Sequence, residues 1–155
     1  IISGAVKQFW TDVIWGELDY LVIDMPPGTA DVALTVMQSI PISGLVMVSV
    51  PQDLVSMIVS KAVNMAKTMK INIMGVIENM SYITCPDCGK QIKLFNGDST
   101  DKFLKEMDLK LLGELPMLSS ISNLAEQGYE NVNEDLELIF SPIVTDIINS
   151  LEEQK

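Results

Sequence analysis

Cys85-Pro86-Asp87-Cys88-Gly89 sets two thiols three residues apart. Pro86 restricts the backbone between them and Gly89 permits a tight reversal, so both sulfurs can turn toward one soft metal or cluster. Two thiolates do not close such a site. Tetrahedral zinc and the common iron–sulfur clusters take four ligands, and the sequence has no histidine and no further cysteine. A two-fold dimer supplies the deficit, because an isologous contact brings Cys85 and Cys88 of each copy to one axis. Iron–sulfur and zinc both suit four thiolates. A redox dithiol is a weaker reading, since the pair does not open a helix that would lower a thiol pKa.

Asp24 is the second candidate. It closes the apolar run Asp19-Tyr20-Leu21-Val22-Ile23-Asp24 and precedes Pro26-Pro27-Gly28-Thr29. A carboxylate at such a strand end is placed to hold a magnesium ion and its waters. The stiff turn leaves the Gly28 N–H open to a phosphate oxygen. An aspartate that merely caps the next helix would look the same on residue type alone. Asn79, closing another apolar run, reads equally as a strand-end turn residue.

The elements that must position these residues follow from pattern. Strands are predicted over 19–24, 45–50, 71–79 and 111–115, each a short apolar run stopped by a polar or proline residue. A helix capped by Thr29 or Asp31 runs to about Ser39. A second begins at Asp53 with Leu54, Met57, Ile58, Ala62, Met65 and Met69 at helical spacing, its methionines read as core filler rather than ligands. Further helices are predicted over 100–107, 121–126 and 134–152, the last bent or divided near Pro142. Strand and helix alternate throughout, the grammar of an α/β fold whose mostly parallel sheet binds ligands at the C-terminal strand ends. Asp24, the Pro51–Asp53 turn and Asn79 fall at such ends.

Composition narrows the classes. With 155 residues, 48% of them hydrophobic, one domain over 1–155 is predicted, with a cysteine knuckle inserted at about 82–97. Net charge is −11, and all 10 basic residues are lysine, without the clustering that phosphate-backbone binding needs. Nucleic acid is therefore not expected as a partner. No apolar run is long enough to span a bilayer and no leader pattern opens the chain, so a membrane is not expected either. Two neighbouring cysteines make no disulfide framework, which points to a reducing compartment, the cytoplasm.

Taken together, DYLVIDMPPGTADVALTV, SVPQD, GVIENMSY, CPDCG and LLGELP occur in one order along the chain. The combination closely resembles the Mrp/ApbC-type ATPases, iron–sulfur cluster carriers within the MinD/ParA-like group of P-loop proteins. The resemblance implies a three-layer P-loop NTPase-like fold binding ATP and Mg²⁺. Asp24 would organise the Mg²⁺, Gly28 would sense the γ-phosphate, Asn79 would bond the adenine edge, and Pro116 would lie where the base packs. Cys85 and Cys88 would bind a 4Fe-4S cluster bridging a homodimer, for transfer to apo iron–sulfur proteins.

The chain departs from that pattern in places. The glycine-rich loop with its lysine is absent, so the N-terminal strands and phosphate loop are expected to be missing and this chain alone to be inactive as an ATP hydrolase. The glycine cluster after the cysteines is reduced to Phe95-Asn96-Gly97-Asp98-Ser99, and Met117-Leu118-Ser119-Ser120 replaces the usual acidic residue after Pro116. Other classes are a non-enzymatic zinc-knuckle protein that binds partners and a Par- or Min-like positioning ATPase. The acidic, lysine-poor C-terminus speaks against the latter.

Overall fold

The computed structural model describes residues 2–27, 31–95, 98–118 and 134–153. Its elements are α1 (Ile2–Thr11), α2 (Asp31–Ser39), β1 (Leu45–Ser49), α3 (Asp53–Thr68), β2 (Ile73–Thr84), β3 (Gln91–Lys93), α4 (Asp98–Met107), β4 (Leu111–Pro116) and α5 (Glu134–Glu152). The helix predicted over 121–126 lies outside the described residues.

The fold is α/β, with a mixed sheet flanked by helices. β2 is its centre: β1 and β4 pair with it in parallel, and the short β3 pairs with its far end antiparallel. Alternation along the strands separates two faces. Met47, Val76 and Leu111 pack with Val59 and Val63 of α3 and Phe103 and Leu104 of α4. Their sequence neighbours Val46, Ile77 and Leu112 pack with Ile143 of α5. Ala33 and Met37 of α2 extend the first core beside Leu45 and Ala66. Gly113 sets the distance of α5, because a Cβ there would sit 2.6 Å from Ile143 Cγ1.

The strand predicted over 19–24 is not formed. Residues 13–24 are irregular and exposed, with Val22 89% accessible. An apolar run becomes a strand only when a neighbour takes its N–H and C=O groups. β1 pairs with β2, and no described strand lies along the opposite edge of β1 to receive such a neighbour.

Smaller differences have equally simple causes. In α3 the deeply buried stripe is Val59, Val63 and Ala66, while Met57 and Ile58 face solvent. The helix is apolar on most of its circumference, so spacing alone allows either face. Met65 and Met69 do pack against the core. α5 runs undivided through Pro142. A proline removes one N–H, and the burial of Leu136 and Ile143 on either side holds the helix together. α1 and β3 have no counterpart among the predicted elements.

Candidate functional site

β2 carries two parts of the candidate site. Its first half is an inner strand, pairing Val76 to Glu78 with both β1 and β4. Register then breaks between Glu78 and Tyr82, and Met80 adopts a left-handed φ of 55°. Such a backbone is uncommon for a side-chain-bearing residue and is held by its surroundings. Asn79 sits in this break, half-buried, its Oδ1 accepting the Met80 N–H at 2.9 Å. Its amide NH₂ remains to donate outward. Pro116, buried at the end of β4, pairs with Tyr82, so Asn79 and Pro116 belong to the same end of the sheet.

Beyond Tyr82 the same strand leaves the sheet as a hairpin with β3, in the register Tyr82↔Lys93, Ile83↔Ile92 and Thr84↔Gln91. The cysteines occupy its turn. Cys85 N–H donates to Lys90 O and Gly89 N–H to Cys85 O, each at 2.9 Å, with Gly89 at φ 70°. Cys85 is half-buried and Cys88 exposed. The Cys85 thiol is held below its ordinary pKa, first by the Cys88 backbone N–H, then by that of Asp87 and by the Cys88 thiol. These causes lie in the turn itself and not in a helix N-terminus. Among the described residues no group of three or more metal-ligating side chains gathers at the pair or elsewhere.

A polar cluster that the sequence reading missed lies between these parts. Glu78 is 4% exposed and accepts Thr100 Oγ1–H from α4. Ser81 Oγ is 2.9 Å from both Glu78 Oε2 and Glu114 Oε1. Lys93 of β3 donates to the same Glu114 oxygen at 2.8 Å. That contact, followed by Ser81 and Glu78, holds the Glu114 carboxyl below the usual range despite partial burial, and raises Lys93 in turn. The available signal was a lone glutamate inside each of two apolar strands, GVIENM and LLGELP.

Asp24 is not brought to this end. It lies exposed in the irregular stretch, with no hydrogen bond to another described residue, although its neighbour Met25 packs near Ala33 and Leu45. Gly28 lies outside the described residues. Among the described residues no helix is long and apolar enough to cross a membrane.

A family model described as ParA, NUBPL iron-transfer P-loop NTPase matches residues 1–152. The iron-sulfur cluster carrier protein of Clostridium perfringens is 48% identical over 83% of this chain and 45% of its own length. That of Methanocaldococcus jannaschii is 41% identical over 99% of the chain and 54% of its own. The mouse iron-sulfur cluster transfer protein NUBPL is 41% identical over 83% of the chain and 40% of its own. Among solved structures, a nucleotide-binding protein from Archaeoglobus fulgidus in complex with ADP, with cobalt found, superposes with a TM-score of 0.74 at 38% identity. The match covers 89% of this chain and 58% of that one. The chain thus spans about half the length of the curated relatives it matches.

Proposed function

The chain belongs to the NUBPL iron-transfer P-loop NTPase family, and from that premise we propose that it is part of an ATP-dependent carrier that holds a 4Fe-4S cluster between two copies and passes it to apo iron–sulfur proteins. The carrying observation is the cysteine hairpin. Its turn amides favour thiolate at Cys85, Cys88 is exposed, and no third ligand gathers beside them among the described residues. A half-site of that kind is completed by a second copy, which makes the cluster a shared cargo on a symmetry axis, open to exchange. The carrier and transfer names of the relatives support this reading.

ATP enters through the other half of the site. The Archaeoglobus relative holds ADP, and the strand-end pair Asn79 and Pro116 is available here for the base. Asp24 and Gly28 take the Mg²⁺ and γ-phosphate roles once a segment bearing a phosphate loop stands beside β1 and gives residues 19–24 a strand partner. Hydrolysis is then a regulatory step that changes the dimer and the exposure of its cargo, in the cytoplasm. The test is anaerobic reconstitution of the natural full-length protein with iron and sulfide. An iron–sulfur absorbance that Cys85→Ser and Cys88→Ser each abolish supports the proposal. A full cluster in either variant, or uptake of zinc alone by the wild type, overturns it.

A further inference from the structure

Residues 86–93 of the cysteine hairpin are all exposed, so no buried apolar contact fixes how the turn is held. β3 is only three residues long, and a two-stranded ribbon of that size is marginal on its own. Its orientation must come from the base, where Lys93 pairs in register with Tyr82 and reaches across to Glu114 on β4. Lys93 is thereby tied to a strand other than its hairpin partner. It stands about three residues, or roughly 10 Å of strand, from the level of Cys85.

An exposed lysine–glutamate pair ordinarily contributes little. This one differs in what stands behind it. Glu78 and Glu114 are direct register partners on β2 and β4, an arrangement that sets two carboxyl groups side by side. One Ser81 hydroxyl lies between them, and its single hydrogen cannot serve both. Thr100 contributes a hydroxyl to Glu78, and Asp101 on α4 adds negative potential toward Lys93. Among the described residues Lys93 is the cation that the cluster faces, and it is delivered by the hairpin.

We infer that Lys93 and Glu114 are positioning residues for Cys85 and Cys88: their ion pair seats the hairpin on the Glu78–Glu114 acid pair and so fixes how the two thiols are presented. The purpose of the seating rests on the carrier reading, whereas the seating itself does not. It is measured by amide hydrogen exchange on the metal-free natural full-length protein. The reporters are the N–H groups of Cys85, Gly89 and Leu94, and the Val76 N–H, bonded to Lys110 O, reports the sheet. Lys93→Met and Glu114→Gln should each speed exchange at the three hairpin amides about tenfold and leave Val76 protected. Lys93→Arg should restore wild-type protection. After loading with iron and sulfide, the two disruptive variants should lose iron to a chelator faster than wild type. Unchanged hairpin exchange in both, with Val76 protected, would overturn the inference. So would a rise that reaches Val76 equally in both, since the pair would then hold the sheet rather than the hairpin. A wild type that takes up no cluster would sink the carrier reading and leave the exchange result to decide this one.

Discussion

Replacing Glu78 by glutamine should leave the protein as stable as before or more so, although the residue is only 4% exposed and hydrogen-bonded. Removing a partner from a buried polar network usually costs about 1–3 kcal/mol. Here the hydrogen count points the other way. Glu78 Oε1 accepts from Thr100, while Glu78 Oε2 and Glu114 Oε1 both approach the one Ser81 hydroxyl at 2.9 Å. One hydroxyl hydrogen cannot fill both, so one of those contacts has no hydrogen in it when neither carboxyl carries a proton. A glutamine keeps the acceptor for Thr100 and donates its amide to Ser81 Oγ, which then donates to Glu114. One neutral hydrogen bond is worth about 0.5–1.5 kcal/mol, and the like-charge pair disappears as well. The attraction of Glu78 for Lys93 is lost and offsets part of that gain, screened because the lysine side chain is 57% exposed. We therefore expect a gain of about 1 kcal/mol at pH 8. The assay is urea unfolding of the nucleotide-free natural full-length protein, read as a midpoint shift at constant slope. In a double-mutant cycle, Lys93→Met should cost less in the Glu78→Gln background than in wild type. A destabilisation above about 1 kcal/mol would refute the hydrogen count and make the Glu78 charge itself the stabilising element.

Glu114, whose carboxyl is depressed, contributes stability above the ordinary carboxylate range and loses it as pH falls through its lowered value. Lys93, raised, contributes below the ordinary lysine range and loses it as pH rises through its higher value. Pair-dependent hairpin protection should therefore be flat between those limits, and a comparison of wild type with Lys93→Met from acid to alkaline pH checks it. Gly113→Val puts its Cβ 2.6 Å from Ile143 Cγ1 and 2.7 Å from Cδ1, and overpacking should cost about 1–3 kcal/mol in urea unfolding. Ile143→Ala in the same chain should recover part of that loss. The 155-residue chain alone should hydrolyse no ATP, because a phosphate cradle is what positions the transferred group. In the full-length protein Asp24→Asn should lower turnover more than nucleotide affinity, as steady-state assays and titration would show.

Local chemistry was legible wherever the residues needed nothing distant. Leu45–Val50, the run before Asn79 and Leu111–Leu115 read as strands because helices pack on both faces of the sheet and leave a continuous apolar signature, although Val48 itself is exposed. The cysteine turn was legible because its proline and glycine encode the reversal. Residues 19–24 carry the same apolar signature, but a strand is a property of a pair, and the partner is not among the described residues. The buried face of α3 was ambiguous because Met57 and Ile58 are as apolar as Val59 and Val63. The three residues of β3 carry no period to read. The Glu78–Ser81–Glu114–Lys93 cluster joins three strands through one serine, and residue spacing says nothing about which acids will share a hydroxyl.

The most direct test of the account is native mass spectrometry of the natural full-length protein purified without oxygen. The prediction is a species of two chains carrying one 4Fe-4S cluster, which falls to apo monomers on chelation and never forms in Cys85→Ser or Cys88→Ser. A dimer of unchanged population without metal, a cluster held by a single chain, or zinc alone on the cysteines would contradict it.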